Sequence, residues 1–199
     1  MAADAETQWR WAVLALFACY VGIRWYYFAR FPKGHVTARG SGWVLDFALT
    51  RLTGALMFLP MLLYLVDSGV LRPGELPLPS VLRWAGAVVA VAGMCLLGWS
   101  HVHLRHAFSP EVNLADGQAL VTTGPYRHVR HPMYTSFYVY WIGMALVAAN
   151  WLVAAPGMVA MTVLLTYRLP REEQLMLEAF GDEYRAYRAQ TGALLPRRR

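Results

Sequence analysis

Residues 133–167 contain no Asp, Glu, Lys or Arg, and an uncharged run of this length has no place on the surface of a soluble domain. The hydrocarbon core of a bilayer is roughly 30 Å thick, and about 20 helical residues cross it. The run is therefore too long for one crossing and favours two short helices. Ala149, Asn150 and Trp151 supply the natural turn between them.

The rest of the chain agrees with a membrane protein. Its residues are 57% hydrophobic and only 15% charged, and its mean hydropathy is +0.34, too apolar for an ordinary soluble domain. The sequence predicts one all-α integral membrane domain over residues 1–199. Five transmembrane helices are expected at approximately 11–29, 44–66, 81–103, 133–149 and 151–168, followed by a cytoplasmic helix at approximately 170–190. Gly86 and Gly93 in the third helix favour close helix packing.

Basic residues are divided unequally between the two predicted faces. Most Lys and Arg residues follow the first, third and fifth helices, whereas Arg10, Arg72 and Arg83 border the opposite ends. The positive-inside rule then predicts an external N-terminus and a cytoplasmic C-terminus in an inner or plasma membrane. The net charge of +6 indicates anionic lipid headgroups as partners rather than nucleic acid, because the basic residues border helix ends.

The segment "GPYRHVRHPMY", residues 124–134, lies on the predicted cytoplasmic face. It belongs to a connection of about 27 residues between the third and fourth helices, and long ordered connections are commonly binding loops. Its composition alone suits either a catalytic loop or a basic hinge.

The C-terminal region also has two interpretations. Pro170 suits the first turn of a new helix, in which Glu172 and Glu173 complement the helix dipole. Gly181 weakens or breaks that helix. A stripe of Met176, Phe180, Tyr184 and Tyr187 then describes either an amphipathic tail on the membrane surface or a helix with a functional role.

Charges and histidines near the membrane leave further alternatives. Asp46 forms a structural ion pair with Arg51 or Arg24, or these residues line a polar cavity open to the cytoplasm. The motif "HVHLRH" at 101–106 does not predict a metal site, because His101 and His103 point apart on a helix and no carboxylate lies at ligand spacing. We expect no metal.

Three elements together carry a family resemblance: "LVTTGPYRHVRHPMY" at 120–134, an apolar hairpin that turns at "AANW", and "RLPREEQL" at 168–175 followed by "FGDEYRAY". Residues 84–196 resemble the isoprenylcysteine carboxyl methyltransferase family, which is related to phospholipid N-methyltransferases. The five-helix form is similar to prokaryotic relatives. Thr135 and Ser136 stand where many relatives carry glycine.

The resemblance implies an S-adenosylmethionine-dependent methyltransferase whose C-terminal helix closes over a cofactor pocket. It assigns catalytic roles to Arg168, which orients the substrate, and to Glu173. Arg127, His128 and Arg130 are left as headgroup anchors. The cofactor contacts that it implies are Leu120, Val121, Gly124, Tyr126, His131, Pro132, Tyr134, Glu172 and Glu173.

The acceptor implied by the resemblance is a lipophilic molecule that enters from the bilayer. Arg168 favours a carboxylate, because a guanidinium grips a carboxylate with two parallel hydrogen bonds. The same motifs would also serve a phospholipid or amine N-methyltransferase. A non-catalytic transporter or assembly protein is a third possibility, although transport sites usually lie near the bilayer midplane. The oligomeric state stays open.

Overall fold

A computed structural model describes residues 2–30, 43–104 and 119–197. His106 and most of the connection between the third and fourth helices lie outside these ranges. The described residues form helices and no named strand, so the all-α prediction is confirmed. The helices are α1 (Ala2–Arg30), α2 (Trp43–Val66), α3 (Ser80–Leu104), α4 (Pro132–Ala148) and α5 (Ala155–Gln190), with 3-10 turns at Ser68–Gly74, Gly124–Arg127 and Trp151–Val153.

Three of these helices are long and apolar enough to span a membrane by length and composition: 44–66, 80–104 and the region 151–190 that contains α5. Helix α1 has 29 residues and α4 has 17. Integral membrane character is therefore supported, whereas the expected count of five crossings stays a prediction.

The turn predicted between the last two apolar helices is confirmed. Ala149 ends α4 with a left-handed φ of 49°. The buried side chain of Asn150 accepts a hydrogen bond from Leu152 N at 3.0 Å and donates one to Leu71 O at 2.8 Å. One amide thus fixes both the hairpin and the 3-10 turn between α2 and α3.

Glycines allow α3 and α4 to approach closely, as the sequence predicts. A Cβ atom on Gly93 would lie 2.6 Å from Tyr140 N, and one on Gly86 would lie 2.5 Å from Leu146 Cβ. The core follows this contact: Tyr140 and Trp141 are fully buried, and Tyr140 stacks on Tyr20 of α1 at 4.3 Å.

Polar side chains tie the helices together at the end that carries the α4–α5 hairpin. Arg83 of α3 donates to Val147 O at 2.8 Å and to Glu6 of α1 at 3.0 Å. Tyr64 of α2 donates to the same Glu6 carboxylate at 2.8 Å. The charged side chains of the candidate site lie at the opposite end of the bundle, which we call the site end.

Helix α5 corrects the predicted boundary between a transmembrane helix that ends at 168 and a new helix from 170. The helix continues through Pro170 and breaks instead at Gly181, where φ is 51° and ψ is −120°. The ion pair between Arg168 and Glu172, at 3.3 Å with i,i+4 spacing, bridges the proline. Residues 155–180 therefore form a rod of roughly 39 Å, longer than the hydrocarbon core is thick.

Candidate active site

The site end brings together four parts of the chain that are distant in sequence. They are the start of α2, the loop before α4 with the first turn of α4, the middle of α5, and the segment that follows α5. Their charged side chains form two adjoining groups, one around Glu172 and one around Glu173.

The first group, the acidic lobe, consists of Asp46, Tyr134, Arg168 and Glu172. Tyr134 donates its hydroxyl hydrogen to Glu172 Oε1 at 2.6 Å. Arg168 Nε lies 3.3 Å from that same oxygen and 3.5 Å from Asp46 Oδ1. Two carboxylates thus surround one guanidinium, so the lobe as a whole carries negative charge.

The second group, the basic lobe, consists of Arg130, Glu173 and Arg188. Arg130 donates to Glu173 Oε1 from Nε at 2.9 Å and from Nη2 at 2.6 Å, and Arg188 Nε lies 3.2 Å from Oε2. Two guanidinium groups share one carboxylate here, so this lobe carries positive charge.

The Glu173 carboxyl is held in its ionised form. Burial by itself would raise its pKa, but the adjacent His131 imidazole and Arg130 guanidinium stabilise the anion and lower the pKa to about 2. Arg130 also donates to the backbone carbonyl of Thr191, which lies beyond the end of α5. Glu173 therefore stays charged at any pH near neutrality.

His131 lies between the two lobes. Its Nδ1 is 3.5 Å from Glu172 Oε2 and its Nε2 is 3.5 Å from Glu173 Oε1. A neutral imidazole donates from one ring nitrogen and a protonated one from both. The two ring nitrogens of His131 thus face one carboxylate from each lobe.

The loop that precedes α4 is shaped by a glycine in a left-handed conformation. Gly124 has a φ of 60°, and a Cβ atom there would lie 2.4 Å from His103 Cδ2. The His103 ring is itself held by a 3.0 Å contact between Nδ1 and Trp99 O. His103, for which the sequence predicted no metal role, therefore supports this loop.

Replacing Gly124 by Ala is expected to destabilise the protein. The left-handed backbone costs a non-glycine residue about 1–2 kcal/mol, and the clash with His103 adds to that cost. Thermal unfolding in detergent measures the effect. Gly98→Ala is the matched control, because its Cβ would meet nothing within 4 Å. An additional His103→Ala change should recover part of the loss; equal melting temperatures for all variants would contradict the packing role.

The short helix after Gly181 packs against the loop, which corrects the interpretation of an amphipathic tail on the membrane. Tyr184 is 1% exposed, and the Tyr187 hydroxyl donates to the Tyr126 carbonyl at 2.6 Å. Burial raises the pKa of Tyr184 to about 12 and that of Tyr126 further, so both phenols are neutral. Because Gly181 breaks the helix, the four aromatic and apolar positions do not share one continuous face.

The segment after α5 returns to the start of α4. Arg130 N donates to Gly192 O at 2.8 Å, His131 N donates to Ala193 O at 3.0 Å, and Thr135 Oγ1 donates to Leu194 O at 2.7 Å. Pro132 is buried at the first turn of α4, where its missing N–H leaves no helical hydrogen bond unmade. The backbone of the 129–135 region is thus fixed by residues 191–194.

Most of the predicted site residues meet at this end of the bundle. His131, Tyr134, Arg168, Glu172 and Glu173 contact one another directly. Gly124, Tyr126 and Pro132 shape the adjoining loop, and Leu120 and Val121 lie half-buried at its beginning. Whether they bind a cofactor stays a prediction.

Two assignments of charged residues need correction. Arg130 is not a headgroup anchor, because its side chain is only 10% exposed and binds Glu173. Its place in the Arg-His-Pro-x-Tyr element was the sequence feature that could have placed it in the site. Arg127 and His128 are exposed, in keeping with a headgroup role. Asp46 pairs with Arg168 rather than with Arg51 or Arg24, which contact the rings of Phe47 and Phe137 at 4.8 and 5.4 Å.

Part of the chain that holds this arrangement is similar to a known family. The model of the isoprenylcysteine carboxyl methyltransferase (ICMT) family matches residues 86–178, which hold α3, the loop, α4 and the charged part of α5. The match covers just under half of the chain, and over these residues the chain is similar to this family. The matched range includes the Tyr134, Arg168, Glu172 and Glu173 cluster but neither Asp46 nor Arg188.

Curated relatives match part of the chain. Protein-S-isoprenylcysteine O-methyltransferase A of Arabidopsis thaliana is 28% identical over 111 residues, which cover 56% of this chain and 54% of that protein. Methanethiol S-methyltransferase 1 of Bradyrhizobium diazoefficiens is 36% identical over 75 residues, 37% of this chain and 25% of that protein. The chain thus spans about half or less of the length of these relatives.

A solved structure has the same fold. It is that of a eukaryotic intramembrane Ras methyltransferase of the ICMT family, with a TM-score of 0.57 and 19% identity. The similarity covers 93% of this chain and 67% of the solved one, so it includes α1 and α2, which lie outside the matched family range.

Proposed function

We propose that this chain is an S-adenosylmethionine-dependent methyltransferase that works at the cytoplasmic membrane face and methylates a lipophilic carboxylate. In this proposal the chain crosses the membrane five times, with the N-terminus outside. The observation that carries the proposal is the pair of oppositely charged lobes joined by His131. The match of residues 86–178 to the ICMT family model supports the reaction class.

The two lobes fit the charges of the proposed cofactor. S-adenosylmethionine carries a positive sulfonium and an amino-acid end with an anionic carboxylate. The acidic lobe offers Glu172 beside the Tyr134 ring, and carboxylates and aromatic faces both stabilise a sulfonium. The basic lobe offers Arg130 and Arg188, which suit a carboxylate. The glycine loop at Gly124 supplies backbone groups along the same edge.

The bound cofactor would supply an activated methyl group, and the residues of the chain would supply positioning. Arg168 orients the acceptor carboxylate, and Glu172 and Tyr134 hold Arg168 in place. An acceptor carboxylate is already anionic at pH 7, so no side chain has to remove a proton. Alignment of the reacting atoms with exclusion of water contributes as much as ~7–11 kcal/mol in favourable cases.

A second candidate function, N-methylation of a lipid amine, is favoured by one observation. The two negative charges of Asp46 and Glu172 outnumber the one positive charge of Arg168, so the acidic lobe also suits a cationic acceptor. Such an acceptor must lose a proton before transfer, and Glu172 or His131 is placed to accept it. The methanethiol S-methyltransferase relative adds a sulfur acceptor to the chemistries to be tested.

Calorimetry with S-adenosylhomocysteine tests the reaction class. Purified, folded protein should bind this product with a stoichiometry of one per chain. Loss of binding in Arg188→Gln, with binding kept in Arg185→Gln, would locate the carboxylate of the ligand at the basic lobe, because Arg188 adjoins Glu173 there and Arg185 is exposed on the same helix. A folded protein that does not bind would overturn both enzyme functions and favour a non-catalytic membrane protein.

A labelled methyl group identifies the acceptor class. The protein is incubated with labelled S-adenosylmethionine and, separately, an S-prenylated cysteine derivative with a free carboxylate, its amide, a long-chain amine and a long-chain thiol. Alkali releases volatile methanol from a methyl ester but not from an N-methyl or S-methyl product. We expect base-labile label with the free carboxylate, whereas base-stable label on the amine would favour the second candidate.

A further inference from the structure

We propose that Asp46 of α2 is a positioning residue that fixes the direction of the Arg168 guanidinium. This inference rests on the proposed function, in which Arg168 orients the acceptor. It extends the site to a helix that the matched family range, residues 86–178, does not include.

The geometry places Asp46 within the acidic lobe. Its side chain is 18% exposed and its carboxylate lies 3.5 Å from Arg168 Nε, and the Arg168 side chain is 9% exposed. Glu172 approaches the same Nε at 3.3 Å. The two carboxylates come from different helices, α2 and α5, and both lie within ion-pair distance of Nε, without a hydrogen bond from Nε to either.

Anchoring by two helices restricts a side chain more than anchoring by one. Glu172 lies four residues from Arg168 on α5, so that pair moves with α5 as a unit. The ion pair with Asp46 connects the guanidinium to α2 and thereby to the rest of the bundle. Because the guanidinium is planar and its donors form a rigid fork, fixing the Nε edge fixes the direction in which the fork points.

Helix association does not require this ion pair. Helices α2 and α5 already meet closely at Gly157, where a Cβ atom would lie 2.4 Å from Met57 Cγ. A partly buried ion pair also adds little net stability, because desolvation offsets much of the attraction. What Asp46 contributes is orientation, and orientation governs transfer rates: a misplacement of about 1 Å can reduce a rate by about 100-fold.

A set of variants tests the role through turnover. Asp46→Asn keeps the size of the side chain but removes its charge, and should reduce kcat by about 10- to 100-fold with the S-adenosylhomocysteine affinity changed less than about threefold. Asp46→Glu should recover part of the turnover. Asp182→Asn is the matched control, because Asp182 pairs with Arg185 on the exposed surface. Full turnover of Asp46→Asn, or a parallel loss of cofactor affinity, would overturn the proposal.

A double-mutant cycle tests the pairing without an activity measurement. Melting temperatures are compared for Asp46→Asn, Arg168→Ala and the combined variant in detergent. Contact predicts that the two changes are not additive, and additive changes would overturn it. If the wild-type protein binds no S-adenosylhomocysteine, the proposed function fails, whereas this cycle still decides whether Asp46 holds Arg168.

Discussion

Glu173→Ala is expected to produce the largest loss of stability among single substitutions at the site. The carboxylate receives Arg130 and Arg188 and adjoins His131, and the Arg130 side chain is 10% exposed. Removal of one member of a buried pair leaves the other charge without compensation, at about 3–5 kcal/mol. Because Arg130 also binds the Thr191 carbonyl, residues 191–194 should loosen with it. Melting temperature and hydrogen exchange of that segment measure the effect.

Two comparisons isolate the charge of Glu173. Glu173→Gln keeps the acceptor oxygen and should destabilise less than Ala, whereas Glu178→Gln on the exposed face should change nothing. S-adenosylhomocysteine affinity should fall in both Glu173 variants, because Arg130 and Arg188 lose the group that sets their positions. A Glu173→Ala protein as stable as the wild type would show that the cluster does not hold the loop.

The lowered pKa of Glu173 sets the direction of its pH dependence. The group is more acidic in the folded protein, at about 2, than in an unfolded chain, at about 4.5. Its contribution to stability is therefore complete above about pH 4.5 and is lost as the pH falls toward 2. Changes in activity between pH 6 and 8 must then originate in other groups.

Local patterns were sufficient to predict much of the helical structure. The observed starts of α3 and α4 lie within one residue of the expected ones, because charge-free runs and a turn at Asn150 mark them. The sequence did not predict that α5 is continuous, because the expectation that Pro170 begins a new helix considers that helix alone, without its side-chain contacts. An i,i+4 ion pair between Arg168 and Glu172 supports the helix across Pro170. The break occurs at Gly181, for which the sequence predicted either a weakened or a broken helix.

The charged partners were harder to predict because they join distant parts of the chain. Arg130 and Glu173 are 43 residues apart, and Asp46 and Arg168 belong to different helices. The positive-inside rule counts Arg130 as a basic residue on one face whether or not a carboxylate meets it. The family resemblance predicted Arg168, Glu172 and Glu173 as site residues, whereas the contacts of Asp46 and Arg188 were found only in the structure.

Arg168 gives the second large expected effect, and this one concerns turnover. Arg168→Lys keeps a positive charge between Asp46 and Glu172 but loses the planar fork that matches a carboxylate. We expect kcat on a carboxylate acceptor to fall by roughly 100-fold or more, while the melting temperature and S-adenosylhomocysteine affinity stay near wild type. Arg168→Ala should lose as much turnover and also stability, since two carboxylates then face each other without a counter-charge. Initial rates with labelled cofactor measure the first effect and thermal unfolding the second.

The control for Arg168 is Arg185→Ala, which removes an exposed arginine from the same helix element. A lysine variant that keeps full turnover on a carboxylate acceptor would show that the guanidinium does not orient it. If the lysine variant turns over a carboxylate acceptor slowly but an amine acceptor at the wild-type rate, the guanidinium orients carboxylate acceptors and the acidic lobe binds amines. Because Lys preserves the charge balance of the lobe, these outcomes separate the geometry of Arg168 from its charge.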